Sequence, residues 1–507
     1  MFKRILIAVA LATTFFLVGE SPAAAPLLKV GLAEADITPE IGMERPGGYG
    51  KSYLRSVHDP CKVRVAVFDD GKKRVALVGV DTLAVPRQFV KDVREDIQKK
   101  CGIPPEAVLI GASHSHSSGP LSMIVPGDFD HASPEVRDLA YKRSSNADLK
   151  YMKTTRDAIV KAVCKANAAR VESACGVGSG LEDKAAFNRR FRMKNGLTYT
   201  HPGQGNPDIV EPAGPIDPEV GVIGIWDKSG NKLRGCVVNY ACHATTGPSG
   251  GFSANWIYYL EKVIRGALGP DAIVVFLQGA CGDITQVDNR NPYKQPSQDR
   301  WAQIVGGRVG AEAVKVLISM HRGPLAPVDA RQSVWNINRR IPRPERVKES
   351  KAIVKKKPAE VGAANWTFAK EIVLLDALIA KSLTEEVEVQ AVQVGPAVFV
   401  TNPAEFFVDL GLRIKKKSPM RFTFPVELAN GCTGYVPTAE ALGPKGGGYE
   451  TRLTCYSNLE PSAGKQMVEA GLKLVGQMKP GKMPTPPPAR PFSGNGWSYG
   501  NVPPEVD

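Results

Sequence analysis

The sequence predicts a mixed α/β fold, one large domain of mixed β-sheets flanked by helices. Three observations carry this. Short β-branched apolar runs alternate irregularly with amphipathic segments along the 507 residues, which suits mixed layers better than a regular βαβ series. The hydrophobic fraction is 43% and the charged fraction 23%, values of a globular chain with a large core. They exclude a disordered, collagen-like or multi-span membrane protein. No 20–50-residue period repeats along the chain, which argues against a solenoid or propeller.

The elements follow in chain order. Residues 1–25 carry Lys3 and Arg4, an apolar stretch from Ile5 to Val18, and Ala23-Ala24-Ala25. This is the pattern of a cleaved signal peptide, and the stretch is short of the ~20 residues a membrane-spanning helix needs. The expected localisation is therefore exported, periplasmic or extracellular. Segments 62–69 and 73–80 are β-branched and flank Asp70-Gly71, a hairpin signal. Helical patterns occupy 88–100, 253–267 and 298–318, and 135–168 contains a long helix. Val108-Leu109-Ile110, Val237-Val238 and Ala272 to Leu277 read as core strands. Residues 387–394 alternate as a half-buried strand, and Gly395-Pro396 turns it into a second strand at 397–400. Residues 366–381 carry an apolar helical face. Eight prolines fall within 480–504, so 479–507 reads as an extended tail or strap.

The formal net charge is +14, and half of it is local. Segment 339–357 holds nine Lys/Arg against Glu345 and Glu349. Such a strip suits either a solvated helix face or an anionic membrane surface. There is no aromatic-basic interleaving, helix-turn-helix pattern or RNP-like motif, so no nucleic-acid partner is expected. Nine cysteines follow the signal, an odd number without a CxxC pair, so a thiolate zinc site is not expected.

The chemistry gathers at strand ends. His114 and His116 stand in Ser-His-Ser-His-Ser directly after the Val108–Ala112 run. At a strand's period of two they point to the same side. Two imidazoles can begin a zinc site that keeps one position open; two exposed polar histidines in a Ser-rich loop is the plainer alternative. His243 follows another strand, and Glu405 follows the 397–400 strand. Tyr435 and Tyr449 lie in Gly-flanked loops. Each alone suits ordinary packing or surface exposure. Together they make a candidate site for a hard or borderline metal.

Eight motifs in order resemble the catalytic domain of the neutral/alkaline non-lysosomal ceramidase family. They are GLAEADITP (31–39), SHSHS (113–117), NRRF (188–191), NYACHATT (239–246), SANW (253–256), QGACGDITQ (278–286), NPAEFFVDLGLRIK (402–415) and GYVPT with GGYET. The resemblance spans nearly all of 26–478, which replaces the length-based allowance of several domains with one. It implies one catalytic Zn2+ held by His114, His243, Glu405 and Tyr435. It implies His116 beside the substrate as a hydrogen-bonding or proton-moving group, Tyr449 on the oxyanion side, and Arg189 as a substrate-contacting arginine. The family's GDxS serine is replaced by Thr285, which keeps the hydroxyl and adds a methyl group.

The implied activity is zinc-dependent hydrolysis of the N-acyl amide of a ceramide-like lipid. A non-lipid N-acyl compound is the alternative substrate, and a non-catalytic ligand-binding homologue the alternative role. Cys432 and Cys455 flank the two loop tyrosines, which makes a bracing disulfide an expectation, with two buried thiols as its alternative. Cys236, Cys242 and Cys281 read as small buried thiols.

Overall fold

Three larger sheets carry the architecture, and each contains one parallel pair of strands among otherwise antiparallel neighbours. The computed structural model describes residues 27–247, 250–486, 488–494, 497, 499–500 and 502–507. The expected signal segment lies outside the described residues. The first sheet runs, in hydrogen-bonded order, Val108–Ala112, Arg74–Val80, Lys62–Asp69, Leu28–Asp36 and Val171–Ser173. The second runs Ile273–Gln278, Leu233–Tyr240, Glu219–Trp226 and Cys175–Leu181. The third runs Val328–Asn338, Thr384–Val394, Ala397–Thr401 and Phe422–Val426. The parallel pairs are Arg74–Val80 with Val108–Ala112, Leu233–Tyr240 with Ile273–Gln278, and Ala397–Thr401 with Phe422–Val426. The fold is thus mixed α/β, as predicted.

One apolar core joins the sheets. Val65 and Val78 of the first, Val237 and Val275 of the second, and Val392 and Phe399 of the third share it. Helices close the outer faces. Arg87–Cys101 and Leu149–Ala168 bring Val93, Ile97, Ile159 and Val163 onto the first sheet. Trp256–Leu268 and Gln298–Ser319 pack Trp256, Leu260, Val305 and Val309 against Phe276 of the second. Val408–Lys417 and Ala463–Gly476 cover the third with Leu410, Ile414 and Met467. Fully burying one such aliphatic side chain contributes about 1.5–3 kcal/mol. These layers therefore hold the strand ends in fixed relative positions.

Local signals explain the element boundaries. At the predicted hairpin, Asp70 Oδ1 accepts from the backbone N–H groups of Lys72 and Lys73, which fixes the turn between Asp69 and Arg74. Asp148 caps the helix Leu149–Ala168 by accepting from Tyr151 N–H at 2.8 Å. Ser297 caps Gln298–Ser319 through Arg300 N–H.

Segment 135–168 contains the expected long helix, Leu149–Ala168, preceded by a shorter one, Pro134–Tyr141. Between them, Ser144 Oγ donates to Leu139 O and Asn146 Nδ2 to Ala140 O, side-chain bonds that stop the first helix. Two expectations are corrected. Residues 387–394 are buried on both faces rather than half-buried, because the third sheet lies between the common core and its own helices. Cys432 and Cys455 do not form the bracing disulfide. Cys432 Sγ meets the Tyr456 hydroxyl at 3.5 Å, and Cys455 Sγ donates to Glu371 Oε2 at 2.8 Å.

The Pro-rich segment starts as a strap. Gln393 Nε2 donates to Lys479 O at 2.7 Å, Met483 packs at the edge of the common core, and Pro484 is buried. The described residues after it are exposed. The basic strip holds the helix Pro344–Ile353, whose lysines are exposed.

Candidate metal centre

The three parallel strand pairs end at one place. One strand of each pair leads to a candidate ligand, and its parallel neighbour leads to a group that orients the ligand or braces the turn that carries it. After Val108–Ala112 comes His114; after the neighbouring Arg74–Val80 comes Leu83, whose carbonyl lies 3.0 Å from His114 Nδ1. After Leu233–Tyr240 comes His243; after Ile273–Gln278 comes Cys281, whose carbonyl lies 2.7 Å from His243 Nδ1. Both carbonyls accept, so both Nδ1 atoms carry the proton and both Nε2 lone pairs are free. After Ala397–Thr401 comes Glu405; after Phe422–Val426 comes Glu427, whose Oε2 accepts from the N–H groups of Phe406 and Cys281 at 2.9 and 2.8 Å.

The free atoms converge. Glu405 Oε2 lies 3.3 Å from His114 Nε2 and 3.1 Å from His243 Nε2. His116 Nε2 lies 3.2 Å from His114 Nε2. Ring nitrogens of His114, His116 and His243 all fall within 4.8 Å of one another. Tyr435 joins from the short pair Glu405–Phe406 with Tyr435–Val436, in which Glu405 and Tyr435 are directly paired. Two tautomer-fixed imidazoles, a carboxylate and a phenol are the donor set of a borderline divalent cation, and these residues fit zinc.

The sequence's two-residue alternation does not explain the HxH pair. The strand ends at Ala112, and His114 has a positive φ of 59°. That conformation is uncommon outside glycine and is held here by its neighbours. Ser113 N–H donates to Val80 O and Ser115 N–H to Thr82 O. The rings of His114 and His116 meet edge-on, with centroids 4.7 Å apart. Gly47, at φ 108°, leaves room for His116: a Cβ there would sit 2.6 Å from His116 Nδ1. Gly282 likewise lets the GDIT turn reach Glu405, since a Cβ would lie 2.4 Å from Glu405 O.

Burial sets the protonation. It pushes His243 down to about 3, with the charges of Arg189 and His114 adding to it. It pushes His116 well below the ordinary histidine value, again helped by the other two histidines. Burial also works to lower His114, but Glu405 outweighs it and His114 ends raised. For Glu405 burial works upward, and His114 and the hydrogen bonds hold it well below the carboxylate range. Desolvation by the side chains packed around it raises the partly exposed Tyr449 to about 12, so its hydroxyl keeps its proton at neutral pH.

The remaining predicted residues take different places. Tyr449 is 40% exposed and stacks edge-on against Tyr435 at 5.5 Å, at the open side of the site. Arg189 is buried behind Tyr435. Its Nη2 donates to the Tyr435 hydroxyl at 3.0 Å and to Gly282 O, and its Nε to Glu450 Oε1 at 2.6 Å. It does not line the cavity at the site. Thr285 is buried, pairs with Phe187, and donates to Gln286 Oε1 at 2.8 Å; it too is off the cavity wall. Asp283 in the same turn accepts from Val408 N–H and Asn188 Nδ2, both at 2.9 Å, so the NRRF, GDIT and NPAEFF motifs are tied together.

Four residues were missed. Tyr456 donates to Glu405 Oε1 at 2.8 Å, Glu450 anchors Arg189, Glu427 braces the turn, and Tyr49 lines the cavity. Tyr49, in Gly47-Gly48-Tyr49-Gly50, shares the Gly-flanked signal of Tyr435 and Tyr449. Tyr456 has no such signal. Tyr456→Phe removes the partner that orients the Glu405 carboxylate, so zinc affinity or turnover should fall ~10–100-fold with the fold intact. Competition of the apo variant against a chromophoric chelator measures this, and unchanged affinity and turnover would refute it.

A small cavity lies at the histidines, lined by His114, His116, Glu405, Tyr435, Tyr449 and Tyr456. A larger one of about 670 Å³ shares Gly48, Tyr49, Met123 and Tyr456 with it. Its wall is part apolar, with Ile124, Phe129 and Leu378, and part charged, with Arg87, Lys381 and Glu385.

No protein-family model matches the chain, and no curated protein matches it by sequence. Solved structures do. A structure described as a ceramidase complexed with C2 superposes with a TM-score of 0.65 at 18% identity, covering 92% of this chain and 77% of the other. The neutral ceramidase from Pseudomonas aeruginosa gives 0.64 at 19% identity over the same shares. The chain has the fold of these enzymes.

Proposed function

We propose that this protein is an exported zinc-dependent amide hydrolase that cleaves the N-acyl amide of a ceramide-like lipid. The observation that carries this is the convergence of His114 Nε2, His243 Nε2 and Glu405 Oε2 from three sheets, beside a partly apolar cavity. The ceramidase-like fold and the ordered motifs support the substrate class. His114, His243, Glu405 and Tyr435 would hold the ion. When bound, zinc supplies Lewis acidity, which polarises an amide carbonyl and acidifies water toward pKa ~7.

The chain's own groups do the rest. Leu83 and Cys281 carbonyls keep the two imidazoles in register. Arg189, fixed by Glu450, donates to the Tyr435 oxygen and favours electron density there. Neutral His116 stands beside the ligands as the proton acceptor, and it returns the proton to the departing amine nitrogen. Protonated Tyr449, at the open side, donates to the oxyanion that develops on the amide oxygen. Thr285 acts through Gln286 and the turn rather than by contact. The products are a carboxylate and an amine.

The test is a substrate panel on the purified full-length protein with its zinc content measured. Release of sphingoid base from N-acyl sphingosines, lost with a chelator and restored by zinc, is the expected result. Absence of bound metal, or activity indifferent to it, would overturn the proposal. The charged part of the larger cavity favours a second reading with the same centre, hydrolysis of a polar non-lipid N-acyl compound. Activity confined to soluble amides would select it.

The apolar stretch at 5–18 supports export, and among the described residues no helix is long and apolar enough to cross a membrane. The basic strip adds a lipid-surface role. Arg339 and Lys381 line the larger cavity, and the helix Pro344–Ile353 packs on Ala363–Lys381. Each Lys/Arg near an anionic surface contributes about 1 kcal/mol. Binding to phosphatidylserine vesicles should therefore weaken when Lys348, Lys351, Lys355, Lys356 and Lys357 are changed to Gln, and weaken with salt. Equal sedimentation of both proteins with these vesicles would sink the idea.

A further inference from the structure

Two cysteines outside the centre face each other across a helix pair. Cys101 ends the helix Arg87–Cys101, and Cys164 lies in the last turns of Leu149–Ala168. The two helices pack side by side on the first sheet. Their contact is fixed on either side of the cysteines. Arg156 pairs with Asp92 and Asp96 at 3.1 and 2.8 Å, and Asn167 Nδ2 donates to the Cys101 carbonyl at 3.2 Å. Asn167 is one turn from Cys164 on the same helix face. The Cys101 thiol donates to Ile97 O at 3.3 Å in its own helix, and Cys164 is the neighbouring thiol across the helix pair. Both side chains are partly exposed, whereas Cys61, Cys175, Cys236, Cys242 and Cys281 are buried. Cys432 and Cys455 point to separate partners.

We propose that Cys101 and Cys164 form a disulfide that clamps the two helices over the first sheet. The reaction is exchange with an oxidised dithiol carrier or oxidised glutathione. One cysteine thiolate attacks the carrier's S–S bond, forming a mixed disulfide and releasing one carrier thiolate. The second cysteine, as thiolate, attacks the protein sulfur and releases the other. The protein loses two electrons and two protons, and the carrier gains them. The link closes the chain between 101 and 164 and restricts the unfolded state.

The test uses the purified full-length chain, reduced and then incubated with oxidised glutathione. Remaining thiols are alkylated, and the protein is digested without reductant. The expected result is a linked species joining the Cys101 peptide to Ala162–Lys165, with a higher urea midpoint than the reduced protein. Cys101→Ser and, as a second variant, Cys164→Ser should each abolish both the link and the midpoint shift. Alkylation of both cysteines, or linkage of either to another cysteine, would overturn the proposal. Neither readout depends on zinc or on catalysis.

Discussion

His243→Ala should abolish stoichiometric zinc binding and lower kcat/KM by ~10³-fold or more, equal to about 4 kcal/mol of transition-state stabilisation. The imidazole stands 3.1 Å from Glu405 Oε2, and its other nitrogen is fixed by Cys281 O at 2.7 Å. Because burial holds its pKa near 3, it offers a free lone pair at any pH at which the protein would work. No nearby side chain replaces it from the same strand end, since Cys242 Sγ turns toward the carbonyls of Ala185 and His243. Metal analysis with kinetics on the dialysed variant checks this, and circular dichroism confirms the fold. Full zinc occupancy in the variant would remove His243 from the ligand set.

The second large effect is on stability. Arg64 is fully buried in Lys62–Asp69 and pairs with Asp81 at 2.7 Å and with Glu261 of the helix Trp256–Leu268. Glu261 also meets Lys62 at 2.9 Å and Arg265 at 2.6 Å. Glu261→Gln should cost about 3 kcal/mol at pH 7, because it leaves buried positive charge without its counter-charge. For Glu261, burial works to raise the pKa, but Arg64, Lys62 and Arg265 outweigh it and leave it below the carboxylate range. Asp81, with Arg64 as its only cationic side-chain partner among the described residues, ends raised by burial. A lowered carboxylate contributes stability above its unfolded pKa of about 4.3, lost as pH falls through the folded value. The difference between wild type and variant should therefore be full at pH 7 and shrink as pH falls below the unfolded value of about 4.3. Urea unfolding at several pH values measures it; a pH-independent difference would contradict the assignment.

Much of the fold was legible because periodicity and turn chemistry are local. The hairpin at 62–80 needs only β-branched runs and Asp70-Gly71. The helices at 88–100 and 298–318 need only an apolar stripe and an end signal. The errors arose where distant packing decided. Residues 387–394 are buried on both faces by layers far away in sequence.

The candidate site divides along the same line. His114, His243, Glu405 and Tyr435 were legible through their motifs and positions after strands. Arg189 and Thr285 were legible as motif members, but their contacts were not: one stands behind Tyr435, the other bonds Gln286. Tyr456 and Glu427 carried no pattern, since a single Tyr or Glu in a loop looks like any other.

The sequence by itself determined the residue types at the strand ends, the mixed α/β layering and the basic strip, because each is written in neighbouring residues. Only the tertiary structure decided that three strand ends from three sheets meet. It also decided that the parallel neighbours supply the carbonyls that orient His114 and His243 and the Glu427 carboxylate that braces the turn at Glu405, and that His114 takes a positive φ against the Val80–Leu83 turn. A common core fixes the sheets relative to one another. Their convergence depends on packing between residues that the chain separates by more than a hundred positions, and no local pattern records it.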